Sequence, residues 1–268
     1  MSDSAPAPHV PTDAVALPSG ARMPLLGFGT WQIKGEDAVT ATAAALEAGY
    51  RHLDTATVYG NEAEVGAALR DSGLDREDVF VTTKCPGGKV GEERDTLTAS
   101  LDALRTDYVD LWLIHWDVQD PDARLAMWRA LIDARDEGLV RDIGVSNYSV
   151  EMIDDVARRS GVTPGVNQIE WSPLLFDAET LAEHRARDIA LEGYSALRGG
   201  TLEHPAILEI AERTGRTPAL VIIRWHVQHG VIVIPKSVHA DRIRSNADVA
   251  GFSLTDEDMA ILDALGGG

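Results

Sequence analysis

Short, nearly continuous apolar runs alternate along this chain with longer stretches in which apolar and polar residues mix. Runs at 79–84, 109–115, 140–145 and 189–194 are short enough for strands, and so little polar alternation is typical of parallel strands covered by helices. Further strands are predicted at 25–29, 51–54, 166–169 and 231–234. The mixed stretches between them predict helices at about 36–47, 62–71, 92–104, 123–137, 150–159, 178–186, 206–213, 218–228, 240–247 and 255–265. Ahead of the series, 14–17 and 21–25 flank Pro18-Ser19-Gly20 and read as a hairpin. Eight strand–helix units predict an α/β chain folded as a single closed (β/α)₈ TIM barrel, with the hairpin closing its bottom.

An open doubly wound sheet is the rival fold. It would carry a glycine-rich turn after a strand, but Gly27-Phe28-Gly29-Thr30-Trp31-Gln32 lacks the third glycine. Gly87-Gly88-Lys89 has neither the upstream glycine nor the following hydroxyl residue of a phosphate loop. Both read as loop glycines. No boundary or short repeat interrupts the series, so residues 1–268 are expected to form one domain, with 1–11 and 266–268 as disordered ends.

Composition narrows the function. No stretch of about 20 apolar residues exists, so no membrane span is expected. The Ser/Ala/Pro-rich start lacks the basic and apolar regions of a signal peptide. A single cysteine, Cys85, excludes an internal disulfide and points to the cytoplasm. It reads as a buried thiol rather than a nucleophile. The net charge of −19 with no broad basic stripe argues against a nucleic-acid partner. It also makes local positive charge informative, since the chain has only four lysines: Lys34, Lys84, Lys89 and Lys236.

Active sites of (β/α)₈ barrels form at the carboxyl ends of the strands. The second strand of the series ends in Asp54, with Tyr59 in its loop; the third ends in Lys84 and the fourth in His115. Alone, Asp54 could cap a turn and Tyr59 could be a half-buried loop aromatic. Together, three adjacent strands deliver a carboxylate, an ammonium and an imidazole to one rim. A phenol is a reluctant acid or base at neutral pH, and a nearby ammonium favours its phenolate. A carboxylate is then needed to hold the ammonium. The expected unit is Tyr59–Lys84–Asp54, with His115 beside the reacting oxygen. A zinc site from His52, Asp54 and His115 is the competing reading. It is set aside, because His52 and Asp54 flank Leu53 on one strand, and no metal is expected.

The run from Gly49-Tyr50-Arg51 through Asp54-Thr55-Ala56 to Tyr59-Gly60-Asn61-Glu62 closely resembles the first signature of the aldo-keto reductase family. The resemblance covers roughly 13–264 and is similar to the bacterial 2,5-diketo-D-gluconate reductase-like branch. It implies that Asp54, Tyr59, Lys84 and His115 form the catalytic tetrad. It also implies that Ser146, Asn147 and Gln168 hydrogen-bond a nicotinamide carboxamide and that Tyr194, followed by Ser195 and Leu197, stacks on its ring. Ser146 or Asn147 could instead simply start the next helix. Ile234-Pro235-Lys236-Ser237-Val238, with Arg242 and Asn246, resembles the family's cofactor motif. Lys236 and Arg242 are suited to clamp a 2′-phosphate, which favours NADPH over NADH. Ser245 stands where the family often has an acidic residue near the adenosine.

Trp31 and Trp116, with Tyr59 and His115, are the expected substrate walls, while Trp112 should point outward. Asp117 and Trp171-Ser172 depart from the family pattern, and the chain is short after its last helix, which implies an open pocket. The expected activity is NADPH-dependent reduction of small carbonyl compounds, keto-sugar acids among them, by a cytoplasmic monomer. Two other readings are a cofactor-sensing module with little turnover and an aldolase or isomerase forming a Schiff base on Lys84.

Overall fold

The structure is a computed structural model that describes residues 10–267. Two strands, β1 (Ala14–Ala16) and β2 (Arg22–Pro24), pair antiparallel around Pro18-Ser19-Gly20. The hairpin is pinned to the rest of the chain at its tip, where Ser19 donates to Asp142 from its backbone N–H (3.0 Å) and its hydroxyl.

Eight parallel strands follow in sequential order: β3 (Phe28–Gly29), β4 (His52–Asp54), β5 (Phe80–Cys85), β6 (Val109–Ile114), β7 (Val140–Ser146), β8 (Val166–Glu170), β9 (Ala190–Tyr194) and β10 (Ile232–Val233). The two ends of this sheet meet. Leu26 bridges Val233, Gly27 N–H donates to the Val233 carbonyl (2.9 Å), Val233 N–H to Leu25 (2.8 Å) and Gly29 N–H to Pro235 (3.2 Å). The sheet is therefore a closed barrel, as the strand–helix alternation predicts. At this seam a side chain at position 29 would sit 2.7 Å from the Ile234 carbonyl, so the approach needs glycine.

Around the strands run α1 (Glu36–Glu47), α2 (Glu62–Asp71), α3 (Glu93–Leu104), α4 (Pro121–Asp136), α5 (Val150–Ser160), α6 (Ala178–Ala186), α7 (Pro205–Thr214), α8 (Pro218–Gln228), α9 (Ala240–Ala247) and α10 (Asp256–Asp263). Five of these ten helices start on a capping side chain. Asp120, Ser149, Asp177 and Thr217 each accept a backbone N–H of the first turn, and Thr255 with Asp258 forms a capping box.

Strand register sorts the side chains. His52 and Asp54 on β4 lie level with Phe80 and Thr82 on β5, and Lys84 with Leu113 on β6. These residues face inward. Leu53, Val81, Cys85 and Trp112 alternate with them and are buried beneath the helices, so Trp112 points outward as expected. Gly27 leaves room for His52, whose ring would collide with any side chain there.

Of the ends expected to be disordered, 1–11 and 266–268, residues 10, 11 and 266 lie against the barrel. Val10 lies over Gly49 against the core, Pro11 is buried, and Gly266 sits against the Phe176 backbone. Their contacts with the barrel replace the disorder expected there. Residues 1–9 and 268 lie outside the described residues.

Candidate active site

Lys84 is fully buried at the end of β5. Its Nζ donates to Asp54 Oδ1 at 2.7 Å, to the Thr55 carbonyl at 2.8 Å and, at the long distance of 3.4 Å, to the Tyr59 hydroxyl. Burial opposes the charge, but Asp54, Tyr59 and Glu192 together hold the ammonium above its ordinary pKa. An amine kept protonated is not a Schiff-base nucleophile. The second oxygen of Asp54 accepts from Gln168 Nε2 at 2.9 Å, so an amide from the far side of the barrel fixes the carboxylate.

Tyr59 closes a short 3₁₀ turn, Thr57–Tyr59. Two side chains of the same motif hold that turn. Thr57 Oγ1 donates to the Lys84 carbonyl (2.9 Å), and the buried Asn61 amide bridges the carbonyls of Thr30 (2.8 Å) and Ile33 (2.9 Å). The phenol is half-buried. Burial lifts its pKa and Lys84 pulls it back only in part. The ammonium thus acts in the expected direction, but burial is the larger effect, and Tyr59 carries its proton at neutral pH.

His115 follows β6. Its ring meets Tyr59 edge-on, 5.6 Å between centroids, and stacks on Trp116 at 6.1 Å. Burial and the Lys84 charge push its imidazole down to about 3, so the ring is neutral and can donate or accept a hydrogen bond but carries no charge. Asp54, Tyr59, Lys84 and His115 therefore converge as the strand ends predict. His52 lies below them, its Nε2 3.2 Å from Thr82 Oγ1. Among the described residues no group of three or more His, Cys, Asp or Glu side chains could hold a metal ion. Cys85 is buried, and burial pushes its thiol up to about 12, too high for a thiolate nucleophile.

Opposite the tetrad positions, Ser146, Asn147, Gln168 and Tyr194 form one chain of contacts. Ser146 Oγ donates to the Gln168 carbonyl (2.9 Å), Asn147 Nδ2 to Ser146 Oγ (3.0 Å), and the Tyr194 hydroxyl to Asn147 Oδ1 (2.8 Å). Ser146 ends β7 and does not cap α5, which Ser149 does. Asn147 and Ser195 hold positive φ, 62° and 57°, a strained backbone for non-glycine residues that recurs at functional sites. Leu197 is half-buried. Lys236 and Arg242 are exposed, and among the described residues neither makes an ion pair or hydrogen bond. Ser237 caps the turn into α9 through the His239 N–H (3.0 Å), Val238 is exposed, and Asn246 is nearly buried with no side-chain hydrogen bond among the described residues. Unpaired cations, an unused buried amide and polar groups at strand ends fit a phosphate-bearing cofactor with an amide head. Trp31 and Trp116, expected as substrate walls, are both exposed, at 43% and 55%.

A profile of the Aldo/keto reductase family matches residues 25–266. The chain belongs to that family. This aldo-keto reductase is 45% identical over 254 residues to an aldo-keto reductase of a Mycobacterium species, covering 94% of this chain and 92% of the relative. It is 43% identical over 262 residues to the 2,5-diketo-D-gluconic acid reductase B of a Corynebacterium species, covering 96% and 94%. A crystal structure of an aldo/keto reductase from Brucella melitensis superposes with a TM-score of 0.91 at 43% identity, over 96% of this chain and 99% of that one. The protein is accordingly an oxidoreductase acting on small carbonyl compounds, in a family that uses nicotinamide cofactors. No helix of the described residues is long and apolar enough to cross a membrane.

Several contacts escaped the sequence reading. Asp117, a departure from the family pattern, forms a nearly buried pair with Arg124 of α4 (2.7 Å) that anchors the loop after His115. Arg198 lies over the Trp31 ring at 5.0 Å. Glu192 on β9 is fully buried, 3.8 Å from His52 Nε2, and burial and the charge of Asp54 push its carboxyl up to about 8. A lone carboxylate inside an apolar run was the available signal for it.

Proposed function

We propose that this aldo-keto reductase reduces small aldehydes and ketones with NADPH, and that Tyr59 is the proton donor. The observation that carries the reading is the convergence of a protonated phenol, a buried ammonium, a carboxylate and a neutral imidazole at one rim. Bound NADPH supplies the hydride that reaches the carbonyl carbon. Tyr59 gives its proton to the carbonyl oxygen and leaves as phenolate. Lys84 stabilises that phenolate, and Asp54, held by Gln168, keeps Lys84 charged and in place. His115, being neutral, orients the carbonyl oxygen by a hydrogen bond without competing for the proton. Solvent then restores the phenol.

Lys236 and Arg242 support NADPH, since two unpaired cations suit a 2′-phosphate. Ser146, Asn147 and Gln168 would hold the carboxamide, which requires their mutual hydrogen bonds to rearrange. Tyr194, Ser195 and Leu197 would flank the nicotinamide, while Ser237, Val238 and Asn246 would complete the adenosine side. Trp31, Trp116, Tyr59 and His115 would wall the substrate. Keto-sugar acids are the preferred class, supported by likeness to the 2,5-diketo-D-gluconic acid reductase and by the exposed rim. The single cysteine supports a cytoplasmic site, and the acidic surface supports a monomer through mutual repulsion.

The test is Tyr59→Phe, assayed by loss of NADPH absorbance over a panel of aldehydes and diketones. Losing a general acid costs on the order of 10²–10⁴ in rate. The variant should bind NADPH normally and lose at least about a hundredfold. Retention of more than about a tenth of the activity overturns the assignment.

A further inference from the structure

Glu192 is a fully buried acid that the reaction above does not use. It projects into the barrel from β9, level with Gln168 on β8 and Ile232 on β10. Across the barrel it faces His52 at 3.8 Å and feels the charges of Asp54 and Lys84. Among the described residues neither of its oxygens has a hydrogen-bond partner of normal geometry. The Gln168 amide favours its ionised form, but burial and the Asp54 charge outweigh it, and Gln168 Nε2 already serves Asp54.

Charge balance decides its state. Lys84 is the cation facing this layer, and Asp54 at 2.7 Å already neutralises it. An ionised Glu192 would be a second negative charge with neither a donor nor a cation of its own, which a dry interior does not tolerate. The remaining candidate is His52. It too is fully buried and lies near Lys84, which together push its imidazole down to about 3. The one proton available to this pair therefore sits on the carboxyl, and His52 is neutral.

We propose that Glu192 holds a proton in the working enzyme, and that its ionisation at alkaline pH keeps Tyr59 in the phenol form and slows alcohol oxidation. The second half rests on Tyr59 as the proton-transfer group. A negative charge added below Lys84 and Asp54 disfavours phenolate, and Glu192 acts on Tyr59 in that direction. Oxidation needs phenolate, so its rising limb moves to higher pH, while reduction uses the phenol that predominates below that limb. Glu192 is thus a positioning residue that sets the pH at which Tyr59 ionises.

The experiment pairs infrared difference spectroscopy with kinetics, on the wild-type chain and on Glu192→Gln, which keeps the shape and cannot ionise. With native Glu192, protein labelled with ¹³C-glutamate and carrying Glu62→Gln to silence another buried glutamate should show a protonated carboxylic C=O band at neutral pH that fades with a midpoint near pH 8. The band should vanish in Glu192→Gln. In alcohol oxidation with NADP, the apparent pKa of the rising limb should be lower in Glu192→Gln by on the order of half a unit or more. Absence of the band with native Glu192 overturns the proposal. Superimposable oxidation profiles of wild type and folded variant overturn its second half. A band in a protein that reduces no carbonyl would instead refute the assigned reaction and leave the protonated Glu192 standing. If Glu192→Gln does not fold, the labelled Glu62→Gln protein alone still decides, because a band that does not titrate near pH 8 refutes the proposal.

Discussion

Replacing Asp54 by asparagine tests the electrostatic logic of the site most directly. In the native protein the Lys84 ammonium is wholly buried, with one carboxylate oxygen at 2.7 Å and one backbone carbonyl at 2.8 Å. At that separation and an effective dielectric of about 20, the ion pair is worth about 6 kcal/mol before relaxation. Removing one partner of a buried pair costs about 3–5 kcal/mol in practice, because water and side-chain movement recover part of the loss. Asp54→Asn should therefore lose about 3–5 kcal/mol at neutral pH, a large share of a stability of about 5–15 kcal/mol. The pH dependence gives the cause away. The native Lys84 pKa is raised, so the stabilisation is complete below the unfolded value of about 10.4 and is lost only as pH rises through the higher folded one. In the variant only Tyr59 and Glu192 still oppose burial, and the folded pKa should fall below about 10.4. The penalty is then full at neutral pH and fades as pH approaches 10.4, where the unfolded lysine also sheds its proton. Urea denaturation at about pH 7 and about pH 10 measures both arms. A loss below about 1 kcal/mol at neutral pH, or a deficit unchanged at pH 10, would refute the reasoning.

Other residues give further predictions. Lys236→Ala and Arg242→Ala should each weaken NADPH binding about tenfold or more, the worth of a charge-assisted hydrogen bond, with NADH affinity nearly unchanged; tryptophan quenching on titration reads both. Asp117→Ala strands the Arg124 guanidinium, whose side chain is only 7% exposed, and should cost about 3 kcal/mol in a denaturation midpoint analysis. Arg124→Ala on top of it should add little, since the pair acts as a unit. Because burial pushes His115 down to about 3, the reduction rate should show no ionisation of this ring between about pH 5 and neutrality. A limb in that range that disappears in His115→Gln would contradict the neutral-imidazole role.

The helices and the convergence of Asp54, Lys84 and His115 could be read from the chain for one reason: each is a local pattern with a fixed consequence. Helices α1, α2, α6, α8 and α9 have the bounds expected from the sequence pattern. The three charged or polar residues end apolar strands, and a closed barrel must bring such ends to one rim. What could not be read depends on which residues stand level across the sheet. The Gln168–Asp54 bond spans the barrel, and the Glu192–His52 approach joins strands that are not neighbours. Neither follows until register is known. The closing strands β3 and β10 are also shorter than their apolar runs, with two residues each. Leu26 forms only an isolated bridge, and Ile234 leads into Pro235, which has no N–H to continue a ladder.

That seam between β3 and β10 has a consequence for ligand binding. Among the described residues it is held by three backbone hydrogen bonds, two of which form the single Leu26–Val233 bridge, whereas β5 and β6 pair over four residues. It is the weakest stave joint of the barrel, where local opening should come most easily. On one side of the joint the chain continues to Trp31; on the other it continues to Lys236. A ligand gripped by both would act as a hoop around the staves. The amides of Gly27, Gly29 and Val233 should then exchange more slowly when it is bound.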